Sequence, residues 1–249
     1  MSAPAGLVYR NYFIGGVGQC SGPQLNLLSD VELLLDNVTN EYWDIQNGYL
    51  LPKAGKMSSL RSVLESDVAH KSNLPEEIVK AMKVGIHWDV DVYSCPMHRE
   101  TSEAYNARRR NQVCQVYCSA CPVSYVRGTS TEDWAPFARR NLEGMYAATF
   151  AAAAVISRQY RVAARRAEEA GEVEAANALK AVRVKLYLTQ VGGGVFGNPT
   201  DWISEAVKKA SEMFKDEEFD AVMVHYSPPS EDCEFVKLEQ QHKKETKLK

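Results

Sequence analysis

Leu186-Tyr187-Leu188-Thr189-Gln190-Val191-Gly192-Gly193-Gly194-Val195-Phe196-Gly197-Asn198-Pro199-Thr200-Asp201-Trp202-Ile203 places four glycines in six positions between two apolar stretches. Val184–Val191 is apolar and β-rich, Gly192–Pro199 reads as a loop, Asp201–Phe214 as an amphipathic helix and Phe219–Tyr226 as a second strand. Strand, glycine turn, helix and strand in that order predict a right-handed crossover with parallel strands. Glycine lets a backbone take positive φ and lets a ligand approach without a Cβ in the way. The amides of such a turn converge, and the next helix adds its positive dipole end, which makes a seat for a phosphate or diphosphate. No lysine follows in a G-K-[ST] arrangement, so this is not a nucleoside-triphosphate P-loop.

The rest of the chain sets limits on that reading. Its 249 residues are 45% apolar and 24% charged, which excludes collagen-like and wholly disordered classes and leaves room for a substantial core. A formal charge of −3 argues against a global electrostatic grip on nucleic acid or anionic membranes. No apolar run approaches the roughly 20 residues that a membrane-spanning helix needs. The start, MSAPAGLVYR, has neither a basic nor an apolar leader region, so the expected compartment is cytoplasmic. Six cysteines are too sparse for a stapled scaffold and read as reduced thiols.

Along the chain, Pro23–Asp36 has helical spacing, after Gly15-Gly16-Val17-Gly18, an incomplete dinucleotide fingerprint better read as a flexible turn. Residues 40–60 read as loop, with Asn47-Gly48 and Pro52 as turn signals. A short helix is predicted near Leu74-Pro75. Val84–Val92 alternates with period two, which predicts a strand with Val84, Ile86, Trp88, Val90 and Val92 on one face and His87, Asp89 and Asp91 on the other. Val113–Val123 is a second strand-rich segment. Asp133 is placed to cap a helix that tolerates Pro136 in its first turn and runs through the alanine-rich 147–154 block. Residues 158–182, rich in Ala, Arg and Glu, predict an exposed helical projection turning near Gly171, with Arg165 and Glu169 at ion-pair spacing. Residues 237–249, with five lysines and two glutamates, read as a disordered basic tail behind a domain formed by 1–236.

Gly193-Gly194-Val195-Phe196-Gly197-Asn198-Pro199 resembles, position for position, the phosphate loop of the macrodomain family of ADP-ribose-binding modules. Gly85–Val92, Gln115–Tyr125 and Gly192–Pro199 together resemble segments of macrodomain-like proteins. The likeness implies an α/β fold with a mixed, mostly parallel sheet sandwiched by helices. It also implies that Gly193, Gly194, Val195, Phe196, Gly197 and Asn198 wrap the diphosphate of ADP-ribose or a related nucleotide, with Phe196 against the distal ribose. The clear match covers residues 184–227. The family's other phosphate loop and its adenine-contacting Asp have no counterpart in this chain. Where members of the family are enzymes, the implied class is hydrolysis of an ADP-ribosyl bond, and no general base can be named from this sequence.

Other constellations carry less. Cys114-x-x-x-Cys118-x-x-Cys121 has the spacing of a radical-SAM iron–sulfur motif. On a strand, however, its first two thiols stand roughly 13 Å apart, too far to share a cluster. Cys118 and Cys121 read as packed thiols, with Cys118 near a strand end where open α/β sheets bind ligands. His87 with Asp89 has the composition for proton transfer, although a polar strand face needs no such role. The five histidines show no zinc-ligand spacing, and Arg108-Arg109-Arg110 lacks the interleaved aromatics of a nucleic-acid site. No cofactor or metal is implied. Two alternatives stand beside ADP-ribose binding. One is an interaction protein that uses helices 158–182, and the other is an enzyme on another phosphorylated substrate that uses Cys118 or His87.

Overall fold

The computed structural model describes residues 26–46, 49–69, 73–91 and 112–247. Helix α1 (Ser29–Leu34) carries Asp30 and Glu32 in its first turn, where the helix dipole favours acid, and buries Val31. A single turn, α2 (Asn37–Asn40), leads to strands β1 (Trp43–Gln46) and β2 (Tyr49–Pro52), which pair antiparallel with Gln46 opposite Tyr49. This hairpin and helix α3 (Lys56–Ala69) occupy most of the stretch read above as loop. Burial of Trp43, Leu50, Met57, Leu60 and Leu64 in the common core accounts for the difference. Asn47-Gly48, the turn signal between the strands, lies outside the described residues.

Helix α4 (Leu74–Ala81) falls where expected, with Pro75 at its start and Glu76 and Glu77 in its first turn. Strands β3 (Gly85–Asp91) and β4 (Gln112–Tyr117) pair antiparallel, and here the alternation read from sequence breaks. A bulge lies between His87 and Val90, with Asp89 at φ 53°. Trp88 lies within that bulge, where the regular ladder is interrupted, and is 49% exposed instead of sharing a buried face.

Helix α5 (Thr131–Glu169) has 39 residues and is about 58 Å long at the standard rise. Its cap is Ser130, not Asp133. The Asp133 amide donates to Ser130 Oγ (3.1 Å), and the Ser130 amide donates to the Asp133 carboxylate, giving a reciprocal capping box. Pro136 sits inside the helix beyond its first turn, where it has no amide to donate to the Glu132 carbonyl. Trp134, Phe137, Leu142, Met145, Tyr146 and Phe150 form a buried stripe on a helix that also packs against α3, α4 and the later strand–helix–strand unit. Past Ser157 only Ala164 and Ala167 of α5 are buried.

The chain turns back at Gly171 (φ 77°) into α6 (Val173–Lys180), completing the projecting hairpin read from the sequence. Its ion pairs join Lys180 to Glu168, Arg158 to Glu217 and Arg161 to Glu218; the pair expected between Arg165 and Glu169 does not form. Strand β5 (Val184–Leu188), helix α7 (Thr200–Met213) and strand β6 (Phe219–Met223) follow. The two strands are parallel, with Val184 opposite Phe219 and Leu188 opposite Met223. The chain is thus mixed α/β. Among the described residues its strands pair as three two-stranded ladders, with β5–β6 the parallel one.

Helix α8 (Glu234–Lys247) replaces most of the tail read as disordered. Phe235, 5% exposed, and Leu238 anchor it to the core, a tertiary contact that composition does not reveal. Among the described residues no helix is long and apolar enough to cross a membrane.

The two halves of α5 should respond differently to truncation. Leu142→Ala should cost about 2–5 kcal/mol by urea denaturation, as cavity-forming core changes do. Val162→Ala, on the projecting half, should cost under about 0.5 kcal/mol.

Candidate functional site

The glycine loop begins where β5 ends, and the central helix holds its entrance. The Tyr146 hydroxyl donates to the Thr189 carbonyl (2.7 Å) and accepts from the Val191 amide (3.1 Å). Gly192 (φ 79°) then takes a left-handed conformation, and a Cβ there would stand 2.3 Å from the Ala120 side chain. Gly197 (φ 69°) is tighter still, since a Cβ would collide with Ser124 Oγ. At both positions glycine is required twice, by dihedral angle and by contact.

Three of the six predicted ligand residues use their amides inside the loop. Gly193 donates to the Gln190 carbonyl (3.2 Å), Gly197 to Gly194 (2.9 Å) and Asn198 to Gly192 (3.0 Å). The amides of Gly194, Val195 and Phe196 have no acceptor among the described residues. They fall at the outer part of the loop, where Gly194 has open space at its Cβ position and Val195 is 73% exposed.

Asn198, predicted to face the ligand, instead turns inward and is 3% exposed. Its Nδ2 donates to the Cys121 carbonyl (2.8 Å) and to the Gly192 carbonyl (3.2 Å). It therefore fastens the glycine loop to the segment that follows β4. The Ser124 amide adds a second fastening, donating to the Phe196 carbonyl (3.0 Å). Two loops distant in sequence form one unit.

Phe196 packs partly against the core and partly within an aromatic group. Its ring meets Tyr125 edge-on at 5.1 Å and Tyr49 edge-on at 6.4 Å, and the two tyrosines are 6.1 Å apart. Neither tyrosine was singled out from the sequence. They come from the β1–β2 hairpin and the segment after β4, and no local pattern links them to Phe196. Tyr146 was likewise missed, because a tyrosine within a helical apolar stripe reads as core.

The side-chain charges beside the loop lean negative. The first turn of α7 carries Asp201, held by Arg139 at 3.3 Å; Arg139 also pairs with Glu205 and lies over the Trp202 ring. The start of that helix therefore presents its dipole beside two carboxylates that share one arginine.

Cys118 lies beneath the same region, beside Thr149 and Tyr146. Burial pushes its thiol, and that of Cys121, above the usual thiol range, which disfavours the thiolate a nucleophile needs. His87 is exposed on the β3–β4 ladder, edge-on to Tyr117 at 5.5 Å. Among the described residues no three His, Cys, Asp or Glu side chains gather to hold a metal ion. The Gly15–Gly18 and Arg108–Arg110 clusters lie outside the described residues. The projecting hairpin bears a separate open cleft of about 890 Å³, lined in part by Val155, Val162 and Leu179.

Compared with known proteins, the chain matches no family model, no curated protein and no solved structure.

Gly197→Ala should lower stability by more than about 1 kcal/mol, because it combines an unfavourable φ with a clash, whereas Gly194→Ala should fold normally. Paired thermal melts check this. Stability should also fall as pH rises past the ordinary thiol value of 9.0. Above that pH the unfolded chain releases the Cys118 and Cys121 protons while the folded chain retains them. A lower urea midpoint at about pH 10 than at about pH 8, with a smaller decline in Cys121→Ala, is the expected result.

Proposed function

We propose that the protein binds ADP-ribose or a related nucleoside diphosphate at the Gly193–Asn198 loop, within a macrodomain-like α/β arrangement whose parallel kernel is β5–β6. The observation that carries this reading is the row of uncommitted amides at Gly194, Val195 and Phe196. Diphosphate oxygens accept several hydrogen bonds, and fixed backbone donors supply them without reorganisation. Gly194 adds no side chain between those donors and the ligand, and the nearby start of α7 contributes a positive dipole end. Phe196, flanked by Tyr125 and Tyr49, offers an apolar wall for a sugar face. Asn198 acts as a fastener that keeps the amides aligned.

Turnover, where it occurs, is hydrolysis of an ADP-ribosyl bond with water positioned by loop and phosphate. The position of Cys118 gives little support to the alternative reading of a thiol enzyme, because the same burial that packs the residue keeps its proton on.

The test is calorimetric titration with ADP-ribose, using Gly194→Glu as the comparison. The glutamate enters open space, so the fold is retained while a carboxylate stands where the diphosphate belongs. Micromolar binding by the wild type, weakened at least about 100-fold in the variant, is expected from the loss of several charge-assisted bonds. A wild type that gives neither heat nor thermal shift would overturn the reading.

A further inference from the structure

Resting on that reading, we infer that the turn following β4 is the second wall of the nucleotide site, and that Arg127 supplies the positive charge that selects a diphosphate. The glycine loop offers only neutral donors to an anion, and at its helix end the single cation Arg139 is shared between Asp201 and Glu205, which leaves one negative charge in excess. A diphosphate held by those donors is bound more tightly where a free cation stands close by.

The turn is built to present one. Its first residue, Ser124, donates its amide to the Phe196 carbonyl and lies against Gly197. At its other end the Thr129 hydroxyl donates to the Val126 carbonyl (3.1 Å) and accepts from the Trp134 indole (3.0 Å), so the turn is also moored to the start of α5. Between these moorings lie Tyr125 and Arg127. Tyr125 is 47% exposed although its ring touches Phe196, so it is an accessible platform and not core.

Arg127 is exposed and forms no ion pair or hydrogen bond among the described residues, unlike Arg139, which is committed to two carboxylates. Its backbone is at most about 7 Å along the chain from Tyr125. The long, flexible stem of an arginine gives its charged head a wide reach from that point. Its planar guanidinium can bind two phosphate oxygens at once, the geometry a diphosphate rewards most.

The test compares the wild type with Arg127→Ala and Arg127→Lys by titration with ADP-ribose at low and high salt, with inorganic pyrophosphate as competitor. Arg127→Ala should fold as the wild type does, bind ADP-ribose about tenfold or more weakly, lose much of the salt dependence and be competed less effectively by pyrophosphate. Arg127→Lys should recover the salt dependence but not the full affinity, because a point charge replaces a two-pronged donor. Arg127→Ala binding within about twofold of the wild type, with unchanged salt dependence, overturns the role of Arg127 while leaving the glycine-loop reading intact. A wild type silent to ADP-ribose overturns both.

Discussion

Burial of one face of α5 is the constraint on which the rest of the architecture depends. Trp134, Phe137, Leu142, Met145, Tyr146 and Phe150 are almost wholly removed from water. At about 1.5–3 kcal/mol for each large side chain, that stripe is a major source of the free energy opposing chain entropy. α3, α4, α7 and β5 all reach it, and Trp43 meets Phe137 with ring centroids 5.0 Å apart. The same stripe reaches the candidate site directly. Tyr146 belongs to the core by its ring and to the loop by its hydroxyl, so the position of the Thr189–Val191 segment is set from inside the protein.

The glycine loop illustrates how a surface element becomes rigid without burying its functional atoms. Its inner amides donate to loop carbonyls and the Asn198 Nδ2 donates to the Gly192 and Cys121 carbonyls, while the outer amides at Gly194–Phe196 have no acceptor among the described residues. Exposed donors of this kind cost little in the free protein, because water serves them, and they are already aligned for an anion. A flexible glycine-rich turn would have to lose conformational entropy on binding. Here the entropy is lost on folding, through contacts that Gly192 and Gly197 permit by having no side chain. This rigidity is a physical argument for a ligand seat over a bare connector.

Elsewhere the fold shows less commitment to a packed interior. The distal half of α5 and α6 meet through small residues, Ala164, Ala167 and Ala176, under a surface laced with ion pairs, which produces a thin projection and not a second core. The β3–β4 ladder exposes Trp88 and Val113. Both features stand apart from the glycine loop in their chemistry, and His87 shares the exposed ladder. The chemical groups at the loop are backbone amides and aromatic rings, with Arg139 and its two carboxylates at the adjoining helix.

The sequence alone determined the elements whose signals are local. β5, the glycine loop, α7 and β6 were legible because period-two and helical spacing alternate cleanly around four glycines. The hairpin at Gly171 was legible from composition, and α4 from its proline and acidic first turn. Tertiary structure decided what depends on distant partners: strands in place of a loop at 43–52, the bulge that turns Trp88 outward, and the helix that Phe235 anchors at the carboxyl end. It also decided the candidate site. The inward turn of Asn198 depends on the Cys121 carbonyl, and the aromatic wall joins Tyr49, Tyr125 and Phe196 from three separate segments. A residue's periodicity reports which face it occupies, but which carbonyl or ring meets that face is fixed only when the whole chain packs.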